Sequence, residues 1–214
     1  EAKSKGRQVI HFNIGQPDLQ SPKEFFEGIN AYNSSVVAYD PSEGTSGLRK
    51  EWGEFISKTI NVTISPEQML ITMGASEALV LTFMTCCDPG DDVMIFSPTY
   101  ANYMGFAAIS GIRLVPVLTK LKEGFKLPPV GEIIAKLTNR TRAILLCNPN
   151  NPTGYVYSKE EIEVILEICR ERNIFLVVDE TYRELVFDNT KPISILNIAP
   201  NDNRVIVVDS LSKR

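Results

Sequence analysis

Three groups of residues, each directly behind an apolar run, could act together on one ligand. Lys213 stands in Ser210-Leu211-Ser212-Lys213-Arg214, after Val205-Ile206-Val207-Val208. Asp179 opens Asp179-Glu180-Thr181-Tyr182, after Phe175-Leu176-Val177-Val178. The segment Asn148-Pro149-Asn150-Asn151-Pro152-Thr153-Gly154 follows an apolar run that ends at Cys147. A lysine amine can form an imine, an aspartate can hold a pyridinium, and an asparagine with a tyrosine can bind a phenolic oxygen. Together these are what pyridoxal phosphate chemistry asks of a protein.

Each group also has an ordinary reading. Asp179 at the end of a buried strand needs a partner for its charge, or its carboxyl neutralises. A pyridinium nitrogen would supply that partner, but an aspartate in this place can equally cap a following helix. Lys213 as a nucleophile needs a partly neutral amine, which low polarity and nearby positive charge promote; most lysines are simply solvated. Tyr100, in Ser97-Pro98-Thr99-Tyr100, could cover a flat ring or close the core. Thr72-Met73-Gly74-Ala75-Ser76 lies where an expected strand passes into an expected helix. Small residues at Gly74 and Ala75 let backbone amides approach a phosphate, and Ser76 adds a hydroxyl, although Ser76 would serve as a plain cap just as well. Neither G-x-G-x-x-G nor G-x-x-x-x-G-K-[ST] occurs in the chain, which argues against a dinucleotide or a nucleoside triphosphate.

The elements that would position these residues alternate along the chain. Continuous apolar runs at Met69–Thr72, Val93–Phe96, Arg113–Val117, Ala143–Cys147, Ile174–Val178 and Val205–Val208 predict strands covered on both faces. The clearest predicted helix is Lys159–Arg172, opened by a Ser158/Glu161 capping box and carrying Ile162, Ile165, Leu166 and Cys169 on one face. Asn173 can close it in the left-handed conformation. Helices are also predicted at Lys23–Tyr32, Leu48–Ile60 and Glu77–Phe83, with loops at Gly15–Pro22 and Tyr39–Gly47. The class is α/β with a mostly parallel sheet. In such sheets ligands bind beyond the carboxyl ends of the strands, where Asn148, Asp179 and Ser210 all fall.

Composition narrows the partners. The 214 residues are 43% hydrophobic and 22% charged, with a net charge of −4, the balance of an ordinary globular protein. That charge gives no footprint for nucleic acid or an anionic membrane, and no apolar run approaches a membrane span. Cys86, Cys87, Cys147 and Cys169 make no C-x-x-C, and His11 is the sole histidine, so no metal site is expected. Free buried thiols and a reducing cytoplasm are the expectation.

In order and spacing, several of these segments resemble the pyridoxal-phosphate-dependent aminotransferases of fold type I, class I/II, the group that contains aspartate aminotransferases. The resemblance runs through Asn13-Ile14-Gly15-Gln16-Pro17-Asp18, Tyr39 with Gly44 and Leu48-Arg49, Gly74-Ala75-Ser76-Glu77-Ala78, Pro98-Thr99-Tyr100, Asn148–Gly154, Asp179–Tyr182 and Ser210–Lys213. It implies that Lys213 forms the internal aldimine and moves the substrate proton. By position, Asp179 pairs with the pyridine nitrogen, Asn151 and Tyr182 bind the phenolic oxygen, and Tyr100 stacks on the ring. Ala75, Ser76 and Ser210 hold the phosphate, while Gly15 and Asn151 lie by the substrate carboxylate. Tyr39 reaches the phosphate of a neighbouring subunit, which implies a homodimer. Two positions depart from the common pattern: Tyr100 stands where some aspartate aminotransferases have tryptophan, and Ala75 replaces a common glycine.

The resemblance also implies a large domain over residues 21–214, truncated after the lysine, with residues 1–20 belonging to a small domain or arm. Relatives continue far past the lysine, adding an antiparallel strand and a small domain whose arginine grips the substrate carboxylate. The C-terminal small domain is therefore expected to be missing here, and the 214 residues alone to be inactive. The implied activity is transfer of an amino group from an L-amino acid, aspartate among the candidates, to a 2-oxo acid. Alternatives on the same scaffold are a carbon–sulfur lyase or an aminocyclopropane-carboxylate synthase. An aminotransferase-like sensor domain of a transcriptional regulator is a further alternative.

Overall fold

In the computed structural model, residues 1–10, 15 and 19–214 are described. Contacts divide the chain into one unit of Glu1–Tyr39 with Lys213 and a second of Asp40–Ser212 with Arg214. The first contains helix α1, Lys23–Ala31. Its Phe25, Phe26 and Ile29 are all exposed. Of the Asn13–Asp18 motif only Gly15 is described; the other five residues, and His11, lie outside the described residues.

The second unit is built on a parallel sheet. Strands β1 (Asp92–Ser97), β2 (Arg113–Leu118), β3 (Thr141–Cys147), β4 (Phe175–Asp179) and β5 (Val205–Val208) lie in the order β2-β1-β3-β4-β5. Every pairing is parallel. From β1 the chain first moves outward to β2 and then returns through β3 to β5. The strand order therefore reverses between β1 and β3, the place where loops diverge and leave a crevice.

Helices cover both faces, which explains the unbroken apolar runs. On one face Met94, Phe96, Ile144, Leu146, Leu176 and Val178 form a core with Ile162, Ile165, Leu166 and Cys169 of the helix over Lys159–Arg172. On the other, Val93, Ile95, Leu145, Cys147 and Val177 pack with Leu79, Phe83, Tyr103 and Ala107. The split follows the two-residue period of a strand.

Helices α2 (Ser46–Ile60), α3 (Gly74–Cys86), α4 (Asn102–Ile109), α5 (Val130–Ile134), α6 (Lys159–Arg172) and α7 (Ile195–Ile198) complete the unit. Helix α6 spans the predicted residues. Ser158 and Glu161 form the capping box, and Asn173 closes the helix at φ 56°. The short helix α5, together with α4 and α7, has no counterpart in the sequence expectations.

Met69–Thr72 does not form the expected strand. No strand lies beside it among the described residues, and none of its four residues is fully buried, Leu70 being exposed. Ile71 N–H donates instead to the carbonyl of Glu43 (3.0 Å). Gly44, at φ 91°, passes so close that a Cβ there would come within 2.6 Å of Ile71 Cβ. Arg49 pins the same loop, donating from Nε to the Gly44 carbonyl (3.2 Å) and from Nη1 to the Pro66 carbonyl (3.0 Å). Among the described residues no helix is long and apolar enough to cross a membrane.

Candidate active site

Asp179 is the last residue of β4, and alternation puts its side chain on the same face as Val177, toward α3 and α4. It is only 5% exposed. Its Oδ2 accepts a hydrogen bond from Tyr103 Oη at 2.6 Å, and its Oδ1 accepts the Thr181 N–H at 3.1 Å. Among the described residues it forms no ion pair with any cation. A carboxylate offers about four acceptor positions, so Asp179 retains capacity for a charged donor. A buried carboxylate with neutral partners alone suits a protonated ring nitrogen, which would supply the missing countercharge.

Tyr103 was not singled out from the sequence. Burial is the main cause, with Cys147 and Asp179 adding to it, that pushes its phenol well above the ordinary value. The hydroxyl therefore stays protonated and acts as a donor to Asp179. Burial likewise pushes the Cys147 thiol up to about 12, with Asp179 the next influence. Both groups beside Asp179 are thus neutral. The available signal for Tyr103 was its place three residues after Tyr100, one helical turn along a segment that starts beyond β1.

Tyr100 stands edge-on to Tyr103, with ring centroids 5.5 Å apart and planes at 90°. Its hydroxyl accepts from Asn102 Nδ2 at 2.7 Å. The residue expected over the ring is therefore one contact from the residue bonded to Asp179. Asn151 Nδ2 donates to Tyr182 Oη at 3.3 Å. The two residues expected at one phenolic oxygen, from segments after β3 and β4, are thus adjacent. Burial raises the Tyr182 phenol above its ordinary value, against a lowering by the Asn151 hydrogen bond.

Gly74, Ala75 and Ser76 form the first positions of α3, which begins three residues before the expected Glu77. Gly74 takes φ 75°, and Ser210 Oγ would lie 4.0 Å from a Cβ built on it. Met73, at the cap position, makes no side-chain cap bond. Glu77 Oε2 accepts the Met73 N–H at 2.5 Å; the first-turn amides beyond it, with a serine hydroxyl beside them, are the ones that could take an anion. Ser210 is 7% exposed. Its hydroxyl accepts the Ser212 N–H at 3.1 Å and lies 2.7 Å from Ser212 Oγ.

A cavity of about 570 Å³ reaches Gly74 and Ser210. Otherwise apolar side chains such as Leu48, Trp52, Ile56, Leu196 and Ile206 line much of it. It follows the open side of β5, which pairs only with β4 among the described residues, and not the surroundings of Asp179.

In the first unit, Lys213 Nζ donates to the carbonyl of Gly15. The expected nucleophile thus contacts the residue expected near the substrate carboxylate. Lys213 itself ends the helical turn Leu211–Lys213 that follows β5 in the chain. Tyr39 is fully exposed.

A second charged cluster lies beside Asp179 in sequence. Glu180 is 1% exposed. It accepts from Arg183 Nε at 2.8 Å, Ser194 Oγ at 3.0 Å and Ile195 N–H at 2.9 Å. Burial pushes its carboxyl above the usual range, opposed by Arg183 and these hydrogen bonds. Arg183 continues to Asp209, with Nη2 at 2.8 Å from Oδ2. Sequence reading did not separate Glu180 and Arg183 from the surface charges.

Residues 7–214 match the family of class I and II aminotransferases. The chain is 35% identical to a probable aspartate/prephenate aminotransferase of Aquifex aeolicus, covering 100% of this chain and 54% of that one. Among solved structures, the aspartate aminotransferase of Thermotoga maritima superposes with a TM-score of 0.91 at 32% identity, covering 99% of this chain and 56% of that one. An alanine aminotransferase of Pyrococcus furiosus gives 0.86 at 35% identity, covering 98% and 54%. The chain spans about half the length of the curated relatives it matches. Family match and shared fold agree: the chain belongs to the class I and II aminotransferases.

Proposed function

We propose that these residues carry the cofactor-binding part of a pyridoxal-phosphate-dependent aminotransferase that moves an amino group from an L-amino acid to a 2-oxo acid. The observation that carries the reading is Asp179, a buried carboxylate with neutral donors but no cationic partner among the described residues. When bound, pyridoxal phosphate supplies an electron sink for charge developing at the substrate α-carbon.

The protein's own residues supply the rest. Asp179 holds the ring nitrogen protonated, and Tyr103 orients the carboxylate by donating to Oδ2. Asn151 and Tyr182 bind the phenolic oxygen, and Tyr100 covers the ring. Ala75, Ser76 and Ser210 receive the phosphate, aided by the positive end of α3. Lys213 Nζ takes the proton from the substrate α-carbon and returns it as a general acid. The resemblance assigns Gly15 and Asn151 to the substrate carboxylate, and the exposed Tyr39 to the site of a second subunit in a cytoplasmic homodimer. On this reading residues 21–214 belong to the large domain, and residues 1–20 to a small domain or arm. The names of the relatives include aspartate, prephenate and alanine, so aspartate is the first donor to test.

The test is an amino-donor screen at the protein's full natural length, with 2-oxoglutarate and oxaloacetate as acceptors and keto-acid release as readout. Transfer in wild type and its loss in Lys213→Ala are expected. Borohydride reduction with pyridoxal phosphate present should leave a mass label on Lys213. A label on a different lysine, or full transfer by Lys213→Ala, would contradict the assignment.

A further inference from the structure

The phosphate-facing Ser210 is joined to a buried charge network that the proposed chemistry does not use. Ser210 N–H donates to Asp209 Oδ1 at 2.8 Å, so this amide is already committed, and what the serine offers a phosphate is its hydroxyl, which also accepts the Ser212 N–H. The other oxygen of Asp209 accepts from Arg183 Nη2 at 2.8 Å. Arg183 also donates from Nε to Glu180, the residue directly after Asp179. Glu180 is in turn fixed by Ser194 Oγ and Ile195 N–H. The Arg183 side chain is 4% exposed and that of Glu180 1%, whereas Asp209 is 11% exposed.

A planar guanidinium can span two carboxylates with separate N–H groups, which a point-charge ammonium cannot reproduce. Arg183 therefore ties the chain just after Asp179 to the chain just before Ser210. The segments after β4 and β5 also meet where Glu180 N–H donates to the Val208 carbonyl at 2.8 Å, and each carries one end of the proposed cofactor site. Arg214 adds a second grip: its Nη1 donates to the Ser210 carbonyl and lies 2.9 Å from Asp209 Oδ1, and its Nη2 lies 3.2 Å from Asp209 Oδ2 and 2.7 Å from Glu184 Oε2.

We propose that Arg183, acting through Asp209, is a positioning residue that sets the Ser210 hydroxyl for the phosphate of the cofactor. The inference rests on the pyridoxal phosphate reading above. Arg183 does not touch the ligand. Its contribution is selective for the phosphate end, because Asp179 keeps its own contacts to Tyr103 and Thr181 when the Asp209 link is cut.

The experiment compares dissociation constants of pyridoxal phosphate and phosphate-free pyridoxal, measured by fluorescence titration at the protein's full natural length. Wild type, Arg183→Met, Arg183→Lys and Asp209→Asn are tested, with thermal melts confirming folding. Asp209→Asn leaves the Glu180–Arg183 pair intact but also releases Arg214, so Arg214→Met is measured beside it. The two decide the question if Arg183→Met does not fold. A loss in Arg214→Met as large as in Asp209→Asn would assign the effect to Arg214 and overturn the role of Arg183. The expected result is a pyridoxal phosphate affinity at least tenfold weaker in Asp209→Asn and Arg183→Met, a pyridoxal affinity within twofold of wild type, and partial recovery in Arg183→Lys. Equal losses for both ligands, or no loss for pyridoxal phosphate, would overturn the positioning role while leaving the cofactor reading in place. Wild type that binds neither ligand would overturn both.

Discussion

Asp179 and Glu180 are consecutive carboxylates at the end of one strand, and they meet opposite fates. Asp179 turns toward the α3 and α4 layer and finds a phenol and a backbone amide. Glu180 reaches Arg183 and the start of α7, where a guanidinium, a hydroxyl and an amide consume it. Both are nearly inaccessible to water, so burial does not distinguish them. The difference is countercharge. Glu180 is compensated within the protein, while Asp179 has no cation among the described residues. Of two buried acids, the one without a charged partner is the candidate for binding a charged ligand, and the paired one holds structure.

That contrast breaks first at Arg183. Arg183→Met leaves Glu180 buried without its cation, and the expected cost is about 3–5 kcal/mol of stability in urea unfolding. Tyr103→Phe removes one hydrogen bond to a charged acceptor and is expected to cost about 1.5–3 kcal/mol. Asp179→Asn removes a charge with no partner cation, so ligand-free stability should stay within about 1 kcal/mol of wild type. If Asp179→Asn proved as destabilising as Arg183→Met, the distinction between the two acids would fail. Thiol labelling sharpens the comparison with the smallest effect. Cys147, beside Asp179 and pushed up to about 12 by burial, should resist alkylation at pH 8 in the native state. The half-buried Cys86 should react before it. Fast native labelling of Cys147 would mean that the surroundings of Asp179 are wet.

Much of the sheet was legible because period and length agree. Runs such as Ala143–Cys147 and Val205–Val208 are too short and too continuous for surface helices, and both are strands. Helix α6 was legible to the residue because a capping box opens it and an asparagine closes it. Met69–Thr72 misled because an apolar run is not by itself a buried strand: Leu70 is exposed, and no strand neighbours the run among the described residues. Helix α4 escaped notice because its apolar residues show little periodicity: Met104 and Ile109 are apolar yet exposed, and only Tyr103 and Ala107 are buried. Within the site, Asn148, Asp179 and Ser210 were legible as polar residues at strand ends, while Asn151 followed from the family resemblance. The Asn151–Tyr182 contact could be expected from their shared role. Tyr103 and Arg183 were not, because a tyrosine in a helix and an arginine in a loop declare their roles only through what they touch.

The central claim is that Asp179, and not Glu180, balances the charge of a protonated cofactor ring. The most direct measurement is the ¹⁵N chemical shift of ring-labelled pyridoxal phosphate bound to the protein at its full natural length. Wild type and Glu180→Gln should both show a protonated pyridine nitrogen, and Asp179→Asn an unprotonated one at the same pH. A nitrogen that stays protonated in Asp179→Asn, or loses its proton only in Glu180→Gln, would contradict the account.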